Sequence, residues 1–499
     1  MAITIQNTSI AYLRTVAALK ESSHFNTALV WSAFLVSRIL FLFVQLVILT
    51  TSCDCDVRIY ARYAAAFDLA SDRHTSLYDY CRPEYPHLAL VFMALPRQLM
   101  IGFDPDPISN TDGFGLYRSF FRVEMALFDL LAFATLFWIV KRWFRNESAW
   151  QQSKRLLLFV AGGLLLPTLL YTRLDLALGA LVLLSLALLV SGRHYLWSFG
   201  VLAVAINFKL VPVVLIPIWV VASLPPALVG GFRARGGMVR LLSVCGWRAA
   251  VAGALTVTLA VPAYLSSRGR SLDFLAYHKE RGLEIGSCYS SALLLLKPFG
   301  WPEQFGFGYG SLNVDGLGAP LLVQSAPLLT CCLLLAATAV SCRLLLHHKY
   351  AESSSTDRQG SELLAATAGC AALALAAFIV GNKVFSPQYL LWLLPFIPLL
   401  PRSGFRGRLC TLAFAAACLL STATMVVWQH HVVGDDDWTD TVTSVPGPTP
   451  LGCVLLIARN AAFLGLVVLL ARCLLFNTKT RKDENTKTEM QDRPYCAAA

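Results

Sequence analysis

The sequence predicts an all-α polytopic membrane protein, and three observations carry this prediction. Hydrophobic residues make up 56% of the 499 residues and charged residues only 14%, whereas about 25% of a soluble domain is charged. Apolar runs of about the length that crosses a ~30 Å hydrocarbon core recur along the whole chain. These runs are rich in Ala and Leu and lack the alternation of a lipid-exposed β-barrel, so helices are predicted. The net charge of +11 does not indicate a nucleic-acid partner, because so few residues are charged.

The apolar runs predict about twelve transmembrane helices. Several runs are shorter than the usual ~20 residues, which makes the count approximate. We interpret the first run as an anchor and not a cleaved signal, because it is longer than the apolar region of a signal peptide and begins about thirty residues into the chain. The runs cover 30–50, 118–140, 155–171, 174–191, 194–207, 210–226, 249–265, 319–346, 363–380, 387–401, 409–428 and 451–476.

The distribution of Lys and Arg predicts the orientation of these helices. With a cytoplasmic N-terminus, the predicted cytoplasmic segments hold 23 Lys and Arg and the opposite side holds 13, as the positive-inside rule requires. The large loops 51–117 and 266–318 are then extracytoplasmic. Within the first loop, 88–103 is predicted to lie in the membrane interface, because a crossing there would move the basic segment 141–155 outside. We expect one transmembrane domain over 1–476 and a polar cytoplasmic tail over 477–499.

Charged residues gather at helix ends that this orientation places on the extracytoplasmic side. A single Arg or Lys near a helix end is usually a snorkelling anchor, but several on one face indicate a shared cleft. Guanidinium and ammonium groups bind phosphate, and a carboxylate beside them could accept a proton from an attacking hydroxyl. The candidates are Asp54, Asp56, Arg173, Asp175, Lys209, His278, Arg281, Glu284 and Lys383.

An ordered set of short motifs spanning most of the chain resembles glycosyltransferase family 87 (DUF2029). In the first outer loop the resemblance rests on an Asp closely followed by Tyr, then a Tyr-Asp step, then Glu-Tyr-Pro. Here His87 stands where the family has a second Pro, and Cys53-Asp54-Cys55 is an unusual insertion beside the first motif. The matching residues are Asp56 with Tyr60, Tyr78-Asp79, Glu84-Tyr85-Pro86, Arg173-Leu174-Asp175, Gly192-Arg193, Lys209-Leu210-Val211-Pro212, Tyr277-His278, Arg281-Gly282-Leu283-Glu284 and Lys383 to Tyr389.

This resemblance implies a GT-C-type fold and an inverting transferase that moves a sugar, typically mannose, from a polyprenyl-phosphate donor to a lipid or glycan acceptor. The general base implied by the family is Asp56, with Asp54 as the fallback. We expect Arg173, Lys209, His278, Arg281 and Lys383 to hold the donor phosphate. The remaining candidates for substrate binding are Asp54, Tyr60, Glu84, Tyr85, Asp175, Glu284, Gln388 and Tyr389.

Two other functions compete with this prediction. A carrier or flippase of lipid-linked saccharides is the alternative of a different class, although the chain lacks a convincing internal repeat of the transporter type. A glycosylphosphatidylinositol-type mannosyltransferase is the alternative within the enzyme class. We expect no cofactor and no nucleic-acid partner, and no metal, because Asp54, Asp56 and His278 do not form a recognised ligand set. The predicted location is a bacterial plasma membrane, or the endoplasmic reticulum membrane in a eukaryote.

Overall fold

The chain folds as a bundle of helices that carries two large loops at one end. The computed structural model of the protein describes residues 23–47, 55–100, 111–192, 195–300, 303–352, 360–401, 405–432 and 447–491. The helices are α1 Ser23–Val47, α2 Cys55–Asp72, α3 His87–Leu99, α4 Thr111–Trp143, α5 Ala149–Leu164, α6 Asp175–Val190, α7 Tyr195–Phe208, α8 Ile216–Ser223, α9 Pro226–Gly230, α10 Gly237–Ser266, α11 Asp273–Glu280, α12 Cys288–Leu296, α13 Ala319–Glu352, α14 Gly360–Gly381, α15 Leu390–Leu393, α16 Phe405–Val432 and α17 Pro450–Gln491.

The predicted all-helical membrane class is confirmed. Within the described residues, seven helices are long and apolar enough to cross a membrane, and four shorter apolar helices accompany them. Each of the twelve predicted runs contains a helical segment. Large apolar side chains on the outer helices are exposed, as on α13, where Leu321 and Leu328 are 69% and 70% exposed. Such a surface is stable against lipid and not against water.

The central helix α14 has no polar face. The apolar stretch of this helix is 83% buried and consists largely of Ala and Leu. Small side chains let neighbouring helices approach closely in a membrane protein. At the C-terminal end of α14, the Thr330 hydroxyl of α13 donates to the Gly381 carbonyl, and a Cβ on Gly381 would lie 2.7 Å from the Thr330 Cα. The two helices therefore touch backbone to backbone at this end.

The predicted span at 387–401 is a broken helix. It consists of 3₁₀ turns at Pro387–Tyr389 and Ile397–Leu399 on either side of the four-residue α15. Pro395 and Pro398 interrupt it, because proline lacks a backbone donor and clashes with the preceding turn. The segment is buried from Gln388 to Leu400. It therefore forms part of the interior of the bundle and brings Gln388 and Tyr389 to the large loops.

The structure defines the extent of two elements, the helix α3 of the first large loop and the C-terminal helix α17. Helix α3, in the segment predicted to lie in the interface, has 13 residues, fewer than the ~20 that cross a bilayer. At the other end of the chain, the polar tail begins as a continuation of α17, which runs to Gln491.

The second large loop contains a β-hairpin that the all-α prediction missed. Strands β1 Glu303–Gly308 and β2 Ser311–Gly316 pair antiparallel. The two residues between them, Tyr309 and Gly310, have φ of 54° and 66°, the geometry of a tight hairpin turn. Apolar side chains alternate along both strands, and Val314 is fully buried. The alternation and the Gly-rich turn were the local signal for this hairpin.

An extended segment at 283–285 lies between the hairpin and the start of the broken helix. The Ile285 N–H donates to the Leu312 carbonyl at 3.0 Å, and the Val314 N–H donates to the Leu283 carbonyl at 2.8 Å. On the other side, the Glu284 N–H donates to the Lys383 carbonyl at 3.1 Å. The second loop is therefore joined by backbone hydrogen bonds to the segment after α14.

Candidate functional site

A cavity of about 860 Å³ lies where the two large loops meet the ends of the helices. It is lined by residues that are far apart in sequence. Twelve of the predicted site residues line it: Asp56, Tyr60, Glu84, Tyr85, Arg173, Lys209, His278, Arg281, Glu284, Lys383, Gln388 and Tyr389. Asp54, together with Arg193 of the Gly192-Arg193 motif, lies outside the described residues, and Asp175 lies behind the wall.

Asp56 and Arg173 form an ion pair at the cavity wall. Asp56 lies in the first turn of α2, and Arg173 lies in the turn just before α6. Their side chains are 25% and 11% exposed. A negative side chain at a helix N-terminus is stabilised by the free N–H groups of the first turn. The pair fixes the direction of the carboxylate, while its partial exposure leaves it within reach of a ligand in the cavity.

Lys209 is held by a buried carboxylate and three aromatic rings. Its Nζ lies 2.7 Å from the Asp175 Oδ1, which also accepts from the Trp392 Nε1 at 2.6 Å. The ammonium lies 5.1 to 5.4 Å from the ring centres of Tyr85, Tyr389 and Trp392, within the range of a cation–π contact. Lys209 therefore presents a fixed positive charge to the cavity.

Asp175 needs a correction. It was predicted to bind substrate, but its side chain is 0% exposed and it is absent from the cavity wall. It starts α6, where the helix N-terminus and Lys209 both compensate its charge. We therefore interpret it as the residue that positions Lys209.

His278 also differs from the prediction. It was expected to add positive charge for a phosphate, but burial lowers the pKa of its imidazole, and Arg281 and Lys209 lower it further against the opposing effect of Glu84. A neutral imidazole is the expected form at neutral pH. His278 therefore offers hydrogen bonding and not charge to a ligand.

Arg281 lies among carboxylates. Burial lowers the pKa of its guanidinium, but Glu284 and Glu84 raise it overall, so the residue stays charged. Its Nε donates to the Ser311 hydroxyl of the hairpin at 3.3 Å. Burial raises the pKa of Glu284, partly opposed by Arg281 and Arg459. The hairpin thus fixes the Arg281 side chain, and the Glu284 backbone is held by the Lys383 carbonyl.

Lys383 fastens the second loop to the bundle. Its ammonium donates to the Lys279 carbonyl at 3.0 Å and to the Arg281 carbonyl. Burial lowers the pKa of this ammonium, as does the charge of Arg281. An ammonium has three donors, and the contacts with the described residues use two of them.

The sequence analysis missed a buried clamp behind the cavity. Arg459 and Asn460 of α17 are each 1% exposed. The Arg459 guanidinium donates to the Gly286 carbonyl, and the Asn460 amide donates to the Gly286 and Ser287 carbonyls at 3.1 and 3.0 Å. An Arg-Asn pair inside the apolar run 451–476 was the available signal, because polar residues at that depth need a partner.

The cavity wall is positively charged overall and fits an anionic group. Its carboxylates are Asp56, Glu84 and Glu284, whereas its cations are Arg62, Arg82, Arg173, Lys209, Arg281 and Lys383. In the part of the chain that the structure describes, no group of three or more His, Cys, Asp or Glu side chains could hold a metal ion.

The sequence matches no protein-family profile, and no curated protein matches it. Among solved structures, the chain is similar to the crystal structure of ArnT from Cupriavidus metallidurans bound to undecaprenyl phosphate. The two chains are 15% identical, with a TM-score of 0.37, over 89% of this chain and 79% of that chain. A likeness at this level does not identify an activity or a ligand for this protein.

Proposed function

We propose that this protein is a GT-C-type membrane glycosyltransferase that uses a polyprenyl-phosphate-linked sugar, with mannose as the expected sugar. The observation that carries the proposal is that Asp56 and the cations of distant turns line one cavity. The cavity lies at the end of a bundle of apolar helices, where a lipid substrate could place its head group. The acceptor is a lipid or glycan hydroxyl.

The proposed step is a single displacement with inversion at the anomeric carbon. The acceptor hydroxyl loses its proton to Asp56 and forms the new bond to the anomeric carbon. The bond from that carbon to the phosphate oxygen breaks, and its electron pair leaves with the lipid phosphate. A carboxylate in reach of the hydroxyl supplies general-base catalysis, and fixed cations stabilise the charge that grows on the leaving phosphate.

The cations differ in how they would serve this step. Lys209 is immobilised by Asp175, so it needs little reorganisation when charge develops on a phosphate. Arg173 pairs with Asp56 and so links the base to the cationic side of the cavity. Arg281 is held by the hairpin. His278 would contact a sugar or acceptor hydroxyl.

The test is transfer by the purified full-length protein. Labelled polyprenyl-phosphate-mannose and a labelled nucleotide-sugar are offered in parallel, each with a mixture of lipid and glycan acceptors. We expect label to move only from the lipid-linked donor. Transfer from the nucleotide-sugar alone would overturn the proposal. Movement of intact donor across a proteoliposome membrane without transfer would favour the carrier or flippase.

A further inference from the structure

The tip of the β-hairpin forms part of the cavity wall. Tyr309 and Gly310, the two residues of the turn, both line the cavity, as does Tyr277 of α11. The rings of Tyr277 and Tyr309 meet at nearly a right angle, with 80° between their planes and 5.2 Å between their centres. A Cβ on Gly310 would lie 3.6 Å from the Tyr277 hydroxyl oxygen. The hairpin tip therefore packs against α11 and gives the cavity an aromatic corner.

Tyr309 occupies a backbone position that does not suit tyrosine. Its φ of 54° lies in the left-handed region, which residues other than Gly, Asn and Asp rarely adopt. The first residue of such a two-residue hairpin turn is most often Asn or Asp, followed by Gly. A tyrosine there costs stability, and residues under this kind of strain are concentrated at sites that contact ligands. The turn itself therefore does not explain Tyr309, whereas a use of its ring in the cavity does.

The Tyr309 ring is held by a residue outside the cavity wall. Its hydroxyl donates to the Glu280 Oε2 at 3.1 Å, and the Arg82 Nη1 lies 2.9 Å from the same oxygen. Arg82 lines the cavity and Glu280 does not. Because Arg82 belongs to the first large loop and Tyr309 to the second, the ring is held where the two loops meet. A side chain that is immobilised before binding loses little conformational freedom when a ligand stacks on it.

The cavity has an exposed end and a buried end. The Arg82 and Glu280 side chains next to the hairpin tip are 48% and 45% exposed. At the other end, Tyr85 and Tyr389 are buried beside Lys209, where we propose that the donor phosphate binds. A ligand that enters from the water phase therefore reaches the aromatic corner, while the charged end is left for the donor.

We propose that Tyr309 and Tyr277 form an acceptor subsite on which a pyranose ring stacks, so that the acceptor is a sugar hydroxyl and not the hydroxyl of a lipid alcohol. The inference rests on the proposed function and narrows its acceptor. The face of an aromatic ring carries partial negative charge, and the C–H bonds on one face of a pyranose are complementary to it. Stacking fixes the plane of the sugar, which orients its hydroxyls in the cavity that Asp56 also lines.

Three substitutions of Tyr309 separate the role of the ring from that of the turn. Tyr309→Phe keeps the ring and loses the hydroxyl, Tyr309→Leu loses the ring, and Tyr309→Asn loses the ring but improves the turn. The matched control is Phe299→Asn, because Phe299 is an aromatic residue of the same loop that is 85% exposed and does not line the cavity. If Tyr309 served only the fold, the Asn variant would be at least as stable and as active as the parent protein.

Transfer is measured with the full-length protein and polyprenyl-phosphate-mannose. The acceptors share one alkyl chain: octyl mannopyranoside, octyl glucopyranoside and octyl galactopyranoside contain a pyranose ring, and 1-O-octylglycerol has hydroxyls without a ring. We expect transfer to at least one pyranoside and none to 1-O-octylglycerol. The KM for that pyranoside should rise about threefold to tenfold in the Leu and Asn variants. The KM for the donor should not change, and the Phe variant and the control should behave as the parent protein.

A second measurement needs no turnover. The protein is placed in lipid nanodiscs without sugar-based detergent, and saturation-transfer difference NMR is recorded with the methyl pyranosides of the same three sugars. We expect saturation of the C–H protons on one face of the bound ring, as stacking requires. This signal should be lost in the Tyr309→Leu and Tyr309→Asn variants and kept in Tyr309→Phe. Melting temperatures measured in parallel should show that the Asn variant is no less stable than the parent protein.

The outcomes separate this inference from the proposed function. Equal transfer to 1-O-octylglycerol, or an unchanged acceptor KM in the Leu and Asn variants, would overturn the acceptor subsite and leave the transferase in place. Wild-type protein that transfers to none of the acceptors, but whose pyranoside signal depends on the Tyr309 ring, would overturn the transferase and keep a sugar-binding site. Absence of both transfer and saturation would overturn both.

Discussion

The ion pair of Asp56 and Arg173 joins the proposed base to the charged side of the cavity. Residues 56 and 173 come from the first large loop and from a turn between two helices, and the pair is only partly exposed. A partner that orients a base improves catalysis, because the lone pair must point at the hydroxyl it deprotonates. The pair thus gives Arg173 a role besides the phosphate binding that we propose for it.

Replacing Asp56 with Asn should abolish transfer and leave the fold intact. The amide keeps the size of the side chain but accepts no proton, so we expect a loss of about 10²–10⁴-fold in the transfer rate. The matched control is Asp72→Asn, at an exposed carboxylate of the same helix. Expression, membrane insertion and thermal stability in detergent are measured for both. Wild-type rates in the Asp56 variant would remove Asp56 as the base.

Lys209 and Asp175 allow stability to be separated from function. Removing one partner of a buried pair leaves an uncompensated charge and costs ~3–5 kcal/mol, whereas replacing both by apolar residues is often neutral. Lys209 is partly exposed, so the cost here should fall below that range. We expect Asp175→Leu and Lys209→Met to lower the melting temperature singly, and the double variant to recover much of it.

In the double variant, activity should not recover together with stability. Because Lys209 is proposed to meet the donor phosphate, the double variant should stay as inactive as Lys209→Met alone. Melting temperature and kcat/KM are measured for all four proteins, since a cycle isolates the coupling of the pair. A stable double variant with wild-type kcat/KM would show that Lys209 serves only the fold.

At the scale of elements, the second large loop is held to the bundle by backbone contacts at close range. Gly286 is a tight point, because a Cβ there would lie 2.7 Å from the Phe385 carbonyl oxygen and 3.2 Å from the Arg459 Nη2. This close approach requires glycine. It allows Arg281 and Glu284 on one side and Lys383 on the other to reach the same cavity.

Replacing Gly286 with Ala should separate the loop from the segment after α14. The clash with a backbone oxygen cannot be relieved by a side-chain rotation, so we expect a cost of ~1–3 kcal/mol and loss of most transfer activity. The control is Gly246→Ala, because a Cβ at that helical position meets nothing within 4 Å. Limited proteolysis of the second loop and transfer are measured together. An active Gly286 variant with a protected loop would contradict this account.

The elements that the sequence predicted well are those with a single dominant signal. A long apolar run such as α14 must be helical in lipid, because each backbone group has to be satisfied within the segment. The hairpin has a weaker signal, since Phe305 and Phe307 alternate with glycines. The apolar runs on both sides of this loop predict helices, and the loop was therefore included in the all-α prediction. The break at 387–399 depends on prolines. Prolines do not by themselves predict a break, because a transmembrane helix tolerates them when its neighbours satisfy the backbone groups that proline leaves without a hydrogen bond.

At the scale of the whole molecule, the sequence predicted which charges gather but not how they pair. Placing helix ends on one face was enough to expect Asp56, Arg173 and Lys209 near one another. The pairing of Lys209 with Asp175, and the burial that lowers the pKa of His278, depend on side-chain packing between distant segments. The clamp of Arg459 and Asn460 was missed for the same reason, because its partners are backbone carbonyls that no sequence pattern marks.

The orientation of the molecule is the remaining prediction, and it decides which compartment the cavity faces. Lys and Arg are concentrated on the predicted cytoplasmic side, and the positive-inside rule then places both large loops outside. Asn146 and Asp315 are exposed residues of 141–155 and of the hairpin loop. Asn146→Cys and Asp315→Cys should therefore react with a membrane-impermeant maleimide on opposite sides of the membrane.

The labelling is measured in intact cells and again after permeabilisation, with the reactivity of the parent protein subtracted because it carries native cysteines. We expect position 315 to react in intact cells and position 146 only after permeabilisation, since the basic segment should be cytoplasmic. In an intracellular membrane the same experiment is done on sealed vesicles, and the order is reversed. Reaction of both positions from one side would mean an even number of crossings between them and would contradict the predicted topology. The reverse pattern, in which position 146 reacts in intact cells and position 315 only after permeabilisation, would place the hairpin and the charged cavity beside it on the cytoplasmic side.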